Sequence, residues 1–172
     1  MASTRSRWAP GAVYAVPLAD GSVGFAQAID AMMVNVIYVA LFADRSPDPL
    51  TRPASFDRER VVSLAAIWRQ NLNRGDWKYL GVIPPVVQKA EFPNERFARV
   101  GYVGARHYDA GLLADFLSAY HGFLPWNVLH DEGFYDQLLA PGVARPSTAV
   151  VLGAAEREEF RAREAAARAS VT

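Results

Sequence analysis

Three histidines are the side chains best suited to acid–base chemistry in this sequence: His107, His121 and His130. His107 lies two residues before Asp109, and Asp131 follows His130 directly. A serine hydrolase needs its nucleophile on a sharp strand-to-helix turn, and the sequence contains no Gly-x-Ser-x-Gly motif. A catalytic triad is therefore not predicted. A small hydrolase that uses His107 or His121 with a nearby carboxylate stays open as an alternative function.

The same histidines are the candidates for a metal site, together with the acidic pair that follows His130. Two metal ligands on one helix are normally separated by one turn, as in His-Glu-x-x-His. His121 and His130 are nine residues apart, with Pro125 between them. We therefore predict neither a metal site nor a cofactor. His121 is expected at the C-terminus of a helix, and Asp131 and Glu132 are expected to cap the start of the next helix.

Composition argues against several classes of partner. The 172 residues include 18 basic and 18 acidic side chains, and this zero net charge gives no indication of nucleic-acid binding. The absence of cysteine excludes disulfides and thiolate zinc sites and suits a reducing cytoplasm, where we expect the protein to act. The longest apolar run, residues 31–43, is interrupted only by Asn35 and is shorter than the ~20 residues that span a bilayer. Neither a signal peptide nor membrane association is predicted.

The N-terminal half is predicted to form a curved antiparallel sheet or a partly open β-barrel. Tyr14, Val16 and Leu18 alternate onto one face of a first strand, and Asp20-Gly21 predicts a type I′ turn into a second strand over 22–30. A buried strand is expected over 33–42. Further strands are predicted at 61–68 (with a helix as the alternative), 77–83 and 97–103, and a turn is predicted at 71–76.

The C-terminal half is predicted to be helical and to pack against this sheet. Asp109 is a typical N-cap, Gly122 a typical helix stop, and a second short helix is expected over 131–139. Residues 10–145 thus form a single α+β domain, preceded by a loose arm over 1–9. Residues 154–170 form an appended charged, Ala-rich helix, which is either a solvated tail or a contact through which the chain forms a homo-oligomer.

Three motifs in the first half carry a family resemblance. They are Gly11-x-Val13-Tyr14-Ala15-Val16-Pro17-Leu18, the Asp20-Gly21 turn with Gly24-Phe25, and Gly75-x-Trp77-x-x-x-Gly81. Over roughly residues 10–90 the chain resembles the immunity protein 26 family of bacterial polymorphic-toxin systems. Ala12 stands where that family has an acidic residue, and Ala26 where it has a second glycine. The run from Ala119 to Trp126 is similar to a helical extension found beside such domains.

The resemblance implies a small cytoplasmic protein that binds a cognate toxin domain and blocks it, without catalysis. It assigns no binding residues, because the matching positions are turns and core aromatics. Composition suggests the contact: residues 131–136 combine charge and aromatic rings on a segment expected at the surface. We predict that the partner-binding residues are Asp131, Glu132, Tyr135 and Asp136. If the toxin is a basic nuclease, the acidic residues among them should raise the association rate and give specificity.

Overall fold

A computed structural model describes residues 8–171, so most of the predicted N-terminal arm lies outside the described residues. The strands are β1 (Ala12–Pro17), β2 (Val23–Met33), β3 (Val36–Ser46), β4 (Val61–Trp68) and β5 (Lys78–Val82). The α-helices are α1 (Arg69–Arg74), α2 (Ala110–Tyr120), α3 (Phe134–Leu138) and α4 (Ala154–Ala169). Three 3-10 stretches occupy Arg58–Arg60, Lys89–Glu91 and Pro93–Val100.

The five strands form one sheet in the order β4-β3-β2-β1-β5, and all neighbouring strands are antiparallel. The sheet is open, with β4 and β5 at its two edges. The predicted α+β class and antiparallel sheet are confirmed, and of the two forms considered the sheet does not close into a barrel.

Both faces of the sheet are buried, which explains the long apolar run in β3. On one face, Tyr14 and Val16 belong to a cluster with α2, α3 and Trp126. On the other, Phe25 and Phe42 pack with residues from irregular segments. A strand covered on both sides needs apolar residues at every position rather than at alternate ones. Among residues 8–171, no helix is long and apolar enough to cross a membrane.

A buried glutamine holds the irregular layer against the second face. Gln27 is fully buried, and its side-chain amide donates to the carbonyl oxygens of Ile83 (2.8 Å) and Pro84 (3.2 Å). Its carbonyl oxygen accepts from the backbone N–H of Val86 at 3.2 Å. Because a buried amide without partners is costly, this set of bonds fixes the path of the chain after β5.

The hairpin between β1 and β2 differs from the predicted type I′ turn. Gly21 has a φ of +86°, whereas Asp20 does not adopt a positive φ. The carbonyl of Leu18 accepts from the N–H of Gly21, and the N–H of Leu18 donates to the carbonyl of Ser22. These two bonds define a three-residue loop with glycine in the left-handed position. The carboxylate of Asp20 accepts from the backbone N–H of Ser22 at 3.0 Å and stabilises this alternative.

Of three further local predictions, the strand over 61–68 is confirmed, and those over 71–76 and 97–103 are wrong in part or in full. Residues 61–68 are a strand, as expected. The predicted turn over 71–76 is wrong in part, because the short helix α1 precedes Gly75, whose φ is +80°. The strand predicted over 97–103 is wrong. The chain forms the 3-10 stretch Pro93–Val100, which begins with proline at its first position and ends at Gly101.

The start and end of α2 agree with prediction. The carboxylate of Asp109 caps the helix by accepting from the N–H of Leu112 at 2.8 Å. The helix ends at His121, and Gly122 follows with a φ of +80°. A Cβ atom on Gly122 would lie only 2.6 Å from the carbonyl oxygen of Thr148, so both space and backbone conformation require glycine here.

Candidate functional site

The three histidines lie in separate environments. The ring of His107 packs edge-on against Trp68, with 4.1 Å between ring centroids, and its Nδ1 is buried without a hydrogen-bond partner. His130 is exposed. Within residues 8–171, none of the three forms a hydrogen bond or ion pair with a carboxylate. The structure thus does not assemble the histidine–carboxylate pair that the hydrolase alternative requires.

Several charged side chains act on His121. Its ring stacks on Phe123, with 6.0 Å between centroids, and its Nε2 is buried without a partner. Burial lowers the pKa of His121, nearby Arg45 lowers it further, and Asp20 opposes the shift. Asp20 itself pairs with Arg45 at 3.2 Å, so this carboxylate is already engaged with a cation.

The lowered pKa of His121 predicts a pH-dependent stability. The unfolded chain binds this proton near pH 6.5, whereas the native state resists it. The free energy of unfolding should therefore be highest above pH 6.5 and fall as pH drops from there toward the lowered native pKa. Urea denaturation across this range should show a weaker pH dependence for His121→Gln than for the unchanged protein. Substitution of the exposed His130 by glutamine is the matched control; equal slopes for both variants would contradict the prediction.

The side chains of the predicted contact segment, residues 131–136, mainly contact other parts of the same chain. Asp131 is the first example. Its Oδ1 accepts from the N–H of Gly133 at 2.9 Å, and its Oδ2 accepts from the side-chain amide of Gln137 at 2.7 Å. These bonds lie around the start of α3, where Asp131 and Glu132 were predicted to cap the helix. The N-cap position, however, is occupied by Gly133 and not by Asp131 or Glu132.

Glu132 connects this segment to α4. It pairs with Arg157 at 2.6 Å, where the Glu132 side chain is 56% exposed and that of Arg157 only 13%. Arg161 strengthens the attachment by donating to the carbonyl oxygens of Val128 (2.9 Å) and Leu129 (2.6 Å). The helix α4 is therefore docked on its own chain through polar contacts, although it has no buried residue. Polar contacts thus attach the first half of the helix to its own chain, whereas residues 162–170 are exposed, as the solvated-tail alternative expects.

Asp136 and Tyr135 act mainly inside the molecule. Asp136 Oδ1 accepts from the indole N–H of Trp126 at 3.2 Å, and both its oxygens accept from Arg145, at 3.0 and 2.8 Å. Tyr135 is only 2% exposed and packs against Phe116 and Trp126. Its prediction as a partner-binding residue is corrected, because α3 turns this ring into the core.

A groove that the sequence did not predict follows the outer edge of β4. It has a volume of about 420 Å³ and lies between the Pro93–Val100 stretch and the end of α3. Two of the chain's own segments close parts of this edge. Ala140 donates its N–H to the carbonyl of Val62 at 2.8 Å, and Tyr108 donates to the carbonyl of Ala66 at 2.8 Å.

Between these two closures the edge of β4 is open. In an antiparallel strand, residues two apart direct their backbone groups to the same side. Because Val62 and Ala66 point their carbonyls away from β3, Leu64 points both its N–H and its C=O into the groove. Nothing in the described part of the chain pairs with the backbone of Leu64 on that side. An unpaired edge of this kind is a template for another strand.

The charged residues that line the groove are both arginines. The guanidinium of Arg96 lies 4.6 Å from the centre of the Phe97 ring, and Arg106 donates to the side-chain oxygen of Gln137 at 3.0 Å. Neither arginine pairs with a carboxylate among residues 8–171. The groove therefore combines unpaired backbone groups with two cations that can bind an anion.

Hydrogen bonds join the predicted contact segment to this groove. Asp131 accepts from Gln137, which accepts in turn from Arg106, and the carbonyl of Arg106 accepts from Asn94 at 2.8 Å. Asp131 thus fixes the side chain that positions Arg106. Sequence reasoning missed the groove because it predicted a strand over 97–103. Pro93 and Gly101, which start and stop the 3-10 stretch, are the signal that was available.

Comparisons with family models, curated proteins and solved structures give no match for this chain. Within the described residues, no group of three or more His, Cys, Asp or Glu side chains is arranged to hold a metal ion.

Proposed function

We propose that this chain is an immunity protein, which acts in the cytoplasm by binding a cognate toxin domain and covering its active site. The observation that carries the proposal is the groove at the edge of β4. Leu64 presents an unpaired backbone N–H and C=O there, next to Arg96 and Arg106. Proteins normally cover or blunt such an edge, and an open one is a common way to receive another chain.

The groove alone is too small to account for tight binding, because stable protein interfaces bury about 800 Å² on each partner. Neighbouring side chains can supply the remainder. Val100 and Val103 are 59% and 75% exposed in the segment that borders the groove. Asp131 and Glu132 are exposed on the adjoining α3 segment, which supports their inclusion in the contact surface. Apolar contacts at the centre and charges at the rim are typical of protein interfaces.

The family resemblance over residues 10–90 supports the same proposal independently of the groove. It suggests that binding alone neutralises the toxin by covering its active site, so no reacting group is required. The chain would bind its partner through surface complementarity, with charges raising the association rate and selecting the partner.

Co-expression tests this function. The proposal expects a toxin-like reading frame immediately upstream of the gene. Its product should arrest growth when induced alone, and co-expression of this chain should restore growth. Arg106→Glu should fail to restore growth, because it reverses a charge in the groove. The absence of such a reading frame, or arrest that persists with the unchanged chain, would contradict the proposal.

Arg99→Glu is the matched control for that variant. Arg99 is exposed in the same 3-10 stretch as Arg96 but does not line the groove. The Arg99→Glu variant introduces the same change of charge as Arg106→Glu, and we expect it to restore growth fully. Equal loss of protection by Arg99→Glu and Arg106→Glu would remove the groove from the contact surface.

A further inference from the structure

We infer that the groove on β4 receives a short extended segment of the partner that carries an aspartate or glutamate side chain. This inference rests on the proposed function and adds the chemistry of the partner at that site. The backbone of the segment pairs with Leu64, and its carboxylate binds Arg106 and Arg96. Main-chain bonds supply part of the affinity in such strand addition, while side-chain contacts give the selectivity.

The space between the two closures sets the length of that segment. Val62 and Ala66 are four residues apart in β4, which corresponds to about 13 Å of strand. Ala140 occupies one end of this interval and Tyr108 the other. The open part therefore accommodates two or three extended residues. A long strand cannot continue past either closure, so the occupant is a loop tip or a chain end.

Charge decides which segment fits. The groove is lined by Arg96 and Arg106 and by no acidic side chain. Arg106 is held by Gln137, which leaves its planar guanidinium preorganised for a carboxylate. A neutral or basic segment would leave both arginines without an anionic partner. A second copy of this chain is disfavoured as the occupant, because two like-charged grooves would face each other.

Peptide titration followed by amide NMR tests the inference without any toxin. The probe is a blocked three-residue peptide with aspartate between two valines. We expect the Leu64 amide resonance to shift on titration. The same peptide with central asparagine should bind at least tenfold more weakly, and Arg106→Gln should abolish this preference. Equal binding of the aspartate and asparagine peptides, or shifts that exclude Leu64, would overturn the inference.

A proline substitution tests the backbone contact directly. Leu64→Pro removes the N–H that points into the groove and keeps the bonds between β4 and β3, because Leu64 makes none of those bonds with its own N–H. Leu64→Ala is the matched control, since it also removes the leucine side chain but retains the N–H. Peptide binding should be at least tenfold weaker in the proline variant than in the alanine variant. If Leu64→Pro does not fold, the aspartate–asparagine comparison and Arg106→Gln still decide the matter.

The outcomes separate this inference from the proposed function. Peptide binding together with persistent growth arrest would support the groove chemistry and reject the immunity function. A third outcome is that the unchanged chain and Arg106→Glu restore growth equally well, with no peptide binding to either. That result would reject the inference about the groove but leave the immunity function standing. A dimer that Leu64→Pro converts to a monomer, with no peptide binding, would identify a second copy as the occupant and overturn the inference.

Discussion

Replacing Phe116 with alanine is expected to lower the free energy of unfolding by about 3–5 kcal/mol. Phe116 is fully buried on α2, and its ring centroid lies 5.8 Å from those of Trp126 and Tyr135. The three rings join α2, α3 and the connector between them against one face of the sheet. Large aromatic neighbours cannot collapse into the space that the substitution leaves, so the cavity term adds to the lost burial. Urea denaturation at constant pH measures the change.

The partly buried Leu112 on the same helix provides the control. Leu112→Ala removes apolar surface without opening a closed cavity, and we expect a loss of about 1 kcal/mol. A comparable loss from both substitutions would mean that the aromatic cluster contributes nothing beyond surface burial. Such a result would contradict the role assigned to the three rings.

The predicted strands agree with the structure where side-chain periodicity reflects burial. Tyr14 and Val16 share one face of β1 with the helical layer, while Val23 and Phe25 in β2 face the irregular layer. The unbroken apolar run in β3 was also sufficient to predict a buried strand, since a centrally placed strand buries both faces. These features follow from local pattern, and local pattern can be read from the chain.

The errors arise where contacts distant in sequence override local preference. Residues 97–103, part of the segment after Phe92, were predicted as a strand, but no part of this segment joins the sheet. It forms the 3-10 stretch Pro93–Val100 instead, and Glu95 on that stretch accepts hydrogen bonds from the hydroxyls of Tyr38 and Tyr102 at 2.8 Å. Those bonds depend on the position of β3, which the local sequence does not encode.

The candidate groove was beyond prediction for a similar reason. The backbone N–H and C=O of Leu64 are unpaired only because β4 is an edge strand, and that position depends on the strand order of the whole sheet. The groove also depends on Ala140 and Tyr108 returning to the same edge from the C-terminal half. The acidic segment was predicted to begin a short helix, and α3 does begin within it at Phe134, but the partners of its side chains within the chain could not be deduced from composition.

Asp136→Ala is expected to lower the free energy of unfolding by about 2–3 kcal/mol. Asp136 was predicted to bind a partner, but its carboxylate accepts from the indole N–H of Trp126 and from Arg145. Trp126 is only 1% exposed, so the substitution leaves a donor without a partner in the core. The loss comes mainly from this unsatisfied donor, because exposed ion pairs contribute about 1 kcal/mol or less. Urea denaturation measures the change.

A double-mutant cycle separates the two contacts of Asp136 and decides between its two roles. Arg145→Ala breaks the exposed ion pair and the contact of its guanidinium with the Trp126 ring, 5.9 Å from the ring centre, and should cost about 1–2 kcal/mol. In a Trp126→Phe background, which lacks the donor, Asp136→Ala should cost clearly less than in the unchanged chain. A carboxylate that served only to bind a partner would leave the unfolding free energy unchanged and reduce affinity alone. Weaker binding by Asp136→Ala therefore indicates a direct contact only if it exceeds the effect of Trp126→Phe, which perturbs the same segment while retaining the charge.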